Sequence, residues 1–321
     1  MKILEIHLKN FRGIDRLDLD LRQANGTPLD LVMLAGPNGC GKTSVIEACL
    51  MALKQDSFLA REHPNQPYEI TVVATIGAEP VTIRRTPGQC FLVGRDGHTR
   101  PLNGCLKDQK TFYFSSWRAP KLVGSVGLST GRGKKPQKTD DNSLWRLKQH
   151  LVNRKGAKAY RVSEGEGGRA DEIFARINEI WREFYPDRNG RFDAEIVPTE
   201  QNPANEDGGE ELTFDLLLRD TVHPGGVPVD ALSSGEIEVL TMIGTFVTEI
   251  PPFDVVFIDE PELHLHPAWH RAIMRGLRKA SPGTQFICAT HSAEILESVY
   301  NYERFTLLPE DDPRVRLTQP K

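Results

Sequence analysis

The sequence predicts an α/β fold with a parallel or mixed sheet at its core, and three observations carry that prediction. A strand, a glycine-rich loop and a helix follow one another from Asp30 to Leu53. The last third of the chain alternates apolar strands with helices, which is the pattern of a parallel sheet. The remaining residues read as short alternating strands separated by Gly and Pro, followed by two helices. We therefore expect an antiparallel β subdomain and a small helical insert beside the core.

The segment from Asp30 to Leu53 has the residues that surround phosphate groups. Residues 36–43 fit G-x-x-x-x-G-K-[ST] without a mismatch. Glycines let successive N–H groups face an anion at a helix start, Lys42 adds charge for the β and γ phosphates, and the Thr43 hydroxyl can reach Mg²⁺. The strand and helix on either side favour this function over a chance glycine-rich turn. The residues expected to hold a nucleotide are Gly36, Asn38, Gly39, Cys40, Gly41, Lys42, Thr43 and Ser44.

Strands surround this segment on both sides along the chain. Alternation of apolar and polar residues predicts strands near residues 4–8 and 17–21, and a turn at residues 9–13 that should lie close to the phosphate loop. After the first helix, β-forming runs separated by Gly and Pro predict an antiparallel subdomain. Its expected strands are residues 69–76, 81–85 and 90–93.

The middle of the chain predicts an insert. A short aromatic strand at residues 111–114 leads into residues 124–143, which are rich in Gly, Ser, Lys and Thr and predict a flexible loop. Helical spacing follows at residues 144–152 and 170–184. Two strands are then expected, at residues 192–197 and 212–218.

Positive charge is concentrated in this region. The chain carries a net charge of −4, but the segment from Lys107 to Arg161 holds 14 Lys or Arg against 3 Asp. Such a segment could contact DNA phosphates or a protein partner, and a solvated basic surface explains it equally well.

The composition is typical of a globular protein in a reducing compartment. Of 321 residues, 39% are hydrophobic and 26% charged, and no apolar run approaches the length of a membrane span. The first residues alternate instead of forming the apolar core of an export signal. The five cysteines form no C-x-x-C pair. We expect a cytoplasmic protein with no membrane partner.

The last third of the chain carries two further candidate segments. The apolar strand at residues 253–259 ends in Asp259 and Glu260, which could hold the Mg²⁺ shell and polarise a water. An acidic turn after a strand is also common. Ser233 and Glu236 have capping-box spacing before an apolar helix, although the serine and the helix start could instead meet a γ phosphate. The other elements expected here are helix 268–279, strand 285–290, helix 293–299 and strand 304–308.

The order of these segments resembles that of the ABC-type ATPases, a class of P-loop NTPases. The phosphate loop is followed by an L-S-x-G-[EQ] helix start, a D-E-P strand end and a strand that ends in Thr-His-Ser at residues 290–292. Within that class, three runs look like the RecF and OLD branch, relatives of the SMC proteins. They are LKNFR at residues 8–12, LSSGE at residues 232–236 and DEPELHLHP at residues 259–267. The resemblance covers about residues 1–118 and 212–308.

The resemblance implies a site for ATP and Mg²⁺. It makes Lys42 and Thr43 contacts of phosphate and Mg²⁺, Asp259 a support of the metal, Glu260 the general base and His291 a switch histidine for the γ phosphate. We call residues 232–236 the signature segment. The resemblance also implies that this segment closes over ATP bound to a second subunit. The loop that contains Leu265 and His266 would cross that interface. The further nucleotide contacts are Asn10, Arg12, Ser233, Gly235 and Glu236.

The function implied is an ATP-hydrolysing switch in DNA repair or anti-phage defence. ATP would close a homodimer or a higher oligomer, and the insert would report the change to DNA or to a separate effector protein such as a nuclease or toxin. The two helices expected in residues 119–231 are each only a few turns long, which excludes a long coiled coil. Residues 309–321 are too few to form a nuclease domain. Two alternatives stay open: the ATPase subunit of a transporter, and a non-hydrolysing scaffold that sequesters an effector.

The sequence departs from the family in one place. The family usually supplies a Gln at the entry to the insert, and this chain has none between Gln109 and Gln137. Ser115, Ser116 or Arg118 stand there instead. His264, His266 and His270 do not suggest a metal site, because no Cys or carboxylate set completes the ligands.

Three segments are expected from these observations. Residues 1–118 form an N-terminal ATPase lobe, residues 119–211 a basic loop with a helical insert, and residues 212–321 a C-terminal ATPase lobe.

Overall fold

A computed structural model describes residues 1–55, 67–77, 79–94, 97–102, 106–118, 126–127, 143–159, 164–197 and 213–308. By their internal contacts these residues form two compact units. The first contains residues 1–116, 252–263 and 283–321, and the second contains residues 117–251 and 264–282. Residues 212–321, expected as one lobe, contribute to both units. The secondary structure follows the predicted order of elements closely.

In the described residues, the first unit holds an all-parallel five-stranded sheet, a helix that begins inside the phosphate-loop sequence and a second, short helix. Strands Leu31–Ala35, Val255–Asp259 and Gln285–Thr290 are buried at every position, as expected for the centre of a sheet covered on both faces. The strands run in the order β15-β3-β14-β13-β8. The elements are β3 (Leu31–Ala35), α1 (Lys42–Ala52), β8 (Thr111–Phe114), β13 (Val255–Asp259), β14 (Gln285–Thr290), α6 (Ala293–Glu297) and β15 (Arg304–Thr306).

The same unit holds a six-stranded antiparallel sheet in the order β2-β1-β4-β5-β6-β7. The two N-terminal strands and the predicted subdomain are therefore one sheet, because β1 pairs with β4 across more than fifty residues of sequence, with Ile6 opposite Val72. Helix α1 packs against strands of both sheets. The strands are β1 (Lys2–Phe11), β2 (Ile14–Asp20), β4 (Glu69–Ile76), β5 (Glu79–Thr86), β6 (Gln89–Val93) and β7 (Thr99–Pro101).

Among the described residues of the second unit, four helices pack with a small antiparallel sheet. Strands β10, β11 and β12 lie in that order, and β9 also pairs with β11. The elements are β9 (Val126–Gly127), α2 (Ser143–Ala159), α3 (Glu164–Trp181), β10 (Arg191–Val197), β11 (Thr213–Arg219), β12 (Val227–Pro228), α4 (Ser234–Thr248) and α5 (Pro267–Ala280).

The structure corrects two expectations in the insert. Val126–Gly127, inside the segment expected to be a loop, pairs with Phe214 and Thr213 as strand β9. Both insert helices are longer than their apolar spacing predicted. Helix α2 continues to Ala159, and α3 begins at Glu164 and ends at Trp181, three residues before the predicted end. The rest of residues 124–142 lies outside the described residues, as do residues 119–123 and 160–161 of the basic segment from Lys107 to Arg161.

Candidate functional site

The carboxyl ends of the five parallel strands bring the predicted catalytic segments together. Strand β3 leads into the phosphate loop, β13 ends at Asp259 and β14 ends at Thr290. The register aligns them: Asp259 lies opposite Ala289, and Thr290 lies opposite Ala35. This edge of an open α/β sheet is where ligands of such folds bind. The strand register therefore assembles one candidate site from three distant stretches of sequence.

The phosphate loop has a backbone that its glycines make possible. At Gly36, φ is +152° and an added Cβ would lie 2.3 Å from the carbonyl oxygen of Leu307, so only glycine fits. The Lys42 ammonium folds back on the loop, donating hydrogen bonds of 2.9 Å to the carbonyl oxygens of Gly36 and Pro37. The positive charge of Lys42 therefore lies next to the backbone loop that would surround a phosphate.

The turn of the N-terminal hairpin lies against the phosphate loop, as predicted. An added Cβ at Gly41 would lie 2.9 Å from Cδ1 of Ile14. Arg12 forms an ion pair with Glu47 of α1. Asn10 and Arg12 both have positive φ, 52° and 48°, and Asn10 is exposed. The ion pair places Arg12 beside the helix that follows the loop, and contacts of Asn10 and Arg12 with a nucleotide stay a prediction.

Thr43 and Asp259 form the closest link between the phosphate loop and the acidic strand end. The Thr43 hydroxyl donates a 2.9 Å hydrogen bond to Oδ2 of Asp259. Asp259 is buried, with 2% of its surface exposed. A hydroxyl and a carboxylate are the oxygen ligands that Mg²⁺ prefers. The donor set therefore fits the ion that the sequence implies, with Thr43 and Asp259 as the residues that would hold it.

Glu260 and His291 lie side by side at the exposed rim of this edge. Glu260 has φ of 53°, and its N–H donates to the carbonyl oxygen of Ala289 at 2.8 Å. The Glu260 side chain is 36% exposed and that of His291 54%, with 3.9 Å between Oε1 and Nδ1. A carboxylate and an imidazole that solvent reaches are suited to accept a proton and to contact an anion.

Glu262, which no sequence motif marks as catalytic, lies behind these two residues. Its side chain is 5% exposed, and Oε1 lies 3.3 Å from Nδ1 of His291. Oε1 also accepts hydrogen bonds from the segment that carries His291. Its one local signal is a further carboxylate three residues after the end of the strand at Asp259.

The signature segment belongs to the second unit, where it forms the start of α4. Ser233 and Glu236 make the predicted capping box: the Ser233 hydroxyl accepts from the N–H of Glu236, and the Glu236 carboxylate accepts from the N–H of Ser233 at 2.9 Å. An added Cβ at Gly235 would lie 2.7 Å from the carbonyl oxygen of His264. A side chain at residue 235 would therefore separate the helix start from the loop that contains His264.

Three cations hold the carboxylates around the signature segment. Arg188 pairs with Glu236 at 2.6 Å and with Asp220 at 2.5 Å. Arg118 pairs with Glu238, so its side chain contacts α4. The third cation is Lys148 of α2, which pairs with Asp230. These partners lie far apart in sequence, and no local pattern predicted them.

The histidines near the start of α5 have structural partners. Nδ1 of His266 accepts from the N–H of Ala268, which caps α5, and Nε2 of His264 lies 3.1 Å from the carbonyl oxygen of Arg118. Across the part of the chain that the structure describes, no group of three His, Cys, Asp or Glu could hold a metal ion. Within the same residues, no helix is long and apolar enough to cross a membrane.

The pairing of Glu236 predicts how stability depends on pH. Burial opposes its ionisation, but hydrogen bonds from Ser233 and Arg188 outweigh burial and hold the pKa of Glu236 below its usual 4.5. Because the folded-state pKa is the lower one, ionised Glu236 stabilises the fold above the unfolded value, and this contribution is lost as the pH falls through the folded pKa.

Arg188→Gln tests that dependence by chemical denaturation. The variant should be less stable than wild type at neutral pH, and the difference in the free energy of unfolding should shrink as the pH falls below 4.5. A difference that stays constant down to the acid transition would contradict this origin of the stabilisation.

Comparison with known proteins agrees with the fold and the motifs. Two family models match, one described as "AAA domain" over residues 5–81 and one as "AAA domain, putative AbiEii toxin, Type IV TA system" over residues 138–297. The SMC head bound to the C-winged helix domain of ScpA has a TM-score of 0.60 and 17% identity, with 93% of this chain and 92% of that chain covered. The SMC head domain from Thermotoga maritima gives a TM-score of 0.52 at 18% identity, with the same coverage.

Curated relatives are similar in sequence over different lengths. Septu protein PtuA of Bacillus mycoides is 24% identical over 336 aligned residues, which cover 99% of this chain and 42% of that protein. The retron Vc95 probable ATPase of Vibrio cholerae is 40% identical over 68 residues, 21% of this chain and 13% of its own length. The chain thus spans less than half the length of these relatives.

The phosphate loop, the strand-end carboxylates, the helix-start serine and the SMC-head fold all agree with these matches. Together, the motifs and these matches support an ABC-type ATPase that is SMC, RecF and OLD-like.

Proposed function

We propose that this chain is an ATP-hydrolysing switch that closes a homodimer around ATP and controls an effector protein in anti-phage defence. The observation that carries the proposal is the hydrogen bond between Thr43 and Asp259, at 2.9 Å, with Glu260 as the next residue. It joins the phosphate loop to the acidic strand end at the edge of the sheet where ATP would bind.

Each residue of this edge has a definite part in the reaction. Backbone N–H groups of the phosphate loop and Lys42 bind the phosphates and neutralise their charge. Thr43 and Asp259 would hold Mg²⁺, which supplies charge stabilisation to the transferred phosphoryl group when bound. Glu260 orients a water and accepts its proton as the water attacks the γ phosphate, and the bond from that phosphate to the bridging oxygen breaks so that ADP leaves. His291 contacts an oxygen of that phosphate.

The signature segment completes the site from a second subunit. The Ser233 hydroxyl and the N-terminal end of α4 suit the γ phosphate of ATP held by the partner copy. ATP then lies within a two-fold interface, and binding free energy favours the dimer. Hydrolysis removes the contact and lets the subunits separate.

The relatives support the biological setting. One is a retron probable ATPase and one is a Septu protein, which favours anti-phage defence over DNA repair. One structural neighbour is an SMC head bound to a domain of ScpA, so a head of this fold can hold a separate protein. The basic segment from Lys107 to Arg161 is the second candidate surface, for duplex DNA.

Phosphate release by the purified chain tests this function, with and without duplex DNA. Wild type should turn over ATP, and Lys42→Ala should reduce turnover to background because the phosphates lose their cation. Equal release by both proteins would refute hydrolysis at this site. Stimulation by DNA that is lost when Lys134 and Lys135 are neutralised would assign DNA as the trigger. Turnover indifferent to DNA would favour a protein partner.

A further inference from the structure

Glu262 gathers three consecutive donors onto one oxygen. Its Oε1 accepts from the Thr290 hydroxyl at 2.7 Å, from the N–H of His291 at 2.9 Å and from the N–H of Ser292 at 3.2 Å. Thr290 ends strand β14, while Glu262 follows strand β13 by three residues. Through these hydrogen bonds, one carboxylate connects residues 290–292 to the segment that begins with Glu260.

Burial of the Glu262 carboxylate costs more free energy than hydrogen bonding to a loop alone would require. Its side chain is 5% exposed, and within the described ranges its second oxygen, Oε2, is buried without a hydrogen-bond partner. A buried acceptor left unsatisfied costs roughly 1–3 kcal/mol in general. A neutral amide could accept the same three donors on its carbonyl oxygen. The carboxylate therefore calls for a reason beyond the loop.

That reason lies in the imidazole ring of His291. Nδ1 lies 3.3 Å from Oε1 of Glu262 and 3.9 Å from Oε1 of Glu260. A carboxylate beside one ring nitrogen favours a proton on that nitrogen and fixes the orientation of the ring. Nε2 is then the nitrogen that stays available for a ligand.

We infer that Glu262 is a positioning residue that sets the tautomer and orientation of His291 for the γ phosphate of ATP. The inference rests on the proposed function for its consequence in turnover, but the ring orientation itself needs no nucleotide. Glu262 acts through His291 and does not contact the reacting atoms. The structure thereby links the strand-end carboxylate segment to the switch histidine through a single buried side chain.

Glu262→Gln is the variant that separates charge from packing. The amide oxygen can still accept from Thr290 and from both N–H groups, so we expect the chain to fold. In the nucleotide-free protein, side-chain ¹⁵N spectra should show His291 protonated on Nδ1 in wild type and a mixture of tautomers in the variant. His291→Ala assigns the signal. Identical His291 signals in wild type and Glu262→Gln would overturn the inference.

A double-mutant cycle measures the consequence for turnover. Glu262→Gln should lower kcat about tenfold with little change in KM for ATP, and should have no further effect in the His291→Ala background, because the two residues act as one unit. Additive losses in the double variant would show that Glu262 does not act through His291. Glu294→Gln, an exposed carboxylate bonded to Ser292, is the matched control and should keep wild-type kcat.

The two measurements can refute the positioning role and the proposed function independently of each other. If wild type shows no Lys42-dependent turnover but the tautomer shift is present, hydrolysis is refuted and the positioning of His291 stands. If wild type turns over ATP but Glu262→Gln changes neither the spectra nor kcat, the positioning role is refuted and the proposed function stands.

Discussion

Glu260→Gln is expected to remove nearly all ATP turnover while ATP still binds. The amide keeps the size of the side chain but cannot accept the proton of the attacking water, and loss of a general base lowers rates by about 10²–10⁴-fold. The variant should therefore accumulate the ATP-bound state. Phosphate release measures the loss, and size-exclusion chromatography with light scattering should show a dimer that persists with ATP and Mg²⁺.

The control for this experiment is a carboxylate that lies nearby and outside the proposed reaction. Glu294→Gln removes one charge from the start of α6, where Glu294 is exposed. It should hydrolyse ATP like wild type and should dimerise only transiently. A Glu260→Gln protein that stays monomeric with saturating ATP and Mg²⁺ would argue strongly against an ATP-closed dimer.

Lys148→Ala is expected to destabilise the second unit strongly. The Lys148 side chain is fully buried, and its ammonium lies 2.6 Å from Asp215 and in contact with Asp230. Removing it leaves two largely buried carboxylates without their cation, and breaking a buried pair typically costs about 3–5 kcal/mol. Urea denaturation should show a large fall in the free energy of unfolding.

A second lysine of the same helix provides the matched control. Lys155 also pairs with an aspartate, Asp193, but its side chain is 34% exposed. Exposed pairs contribute about 0–1 kcal/mol, so Lys155→Ala should unfold close to wild type. If both variants lose the same stability, burial of the ion pair is not the cause. Lys148→Ala should also disturb the signature segment, because Asp230 lies three residues before Ser233.

Local periodicity explains why most elements were predictable. The buried strands β3, β13 and β14 are continuous apolar runs, and the helix after the signature segment has an apolar face and a capping box. These signals lie within a few residues of each other, so they can be read along the chain. The last turns of α2 and the first turns of α3 were not predicted, because they hold no apolar residues at helical spacing.

Long-range pairing explains what could not be predicted. The two N-terminal strands join β4 through β7 in one sheet because β1 pairs with β4, and neither strand specifies its neighbour in sequence. The same is true of the ion pairs of Arg118, Lys148 and Arg188, each of which joins residues at least thirty positions apart.

The sequence by itself determined the chemistry of the candidate site. Residue type and spacing were enough for the phosphate loop, for Asp259 and Glu260 at a strand end and for His291 after the last long strand, because each segment is local. Only the tertiary structure decided how they meet. The parallel register places the three strand ends at one edge, and Glu262 becomes significant there because its carboxylate contacts residues that are distant in sequence and close in space.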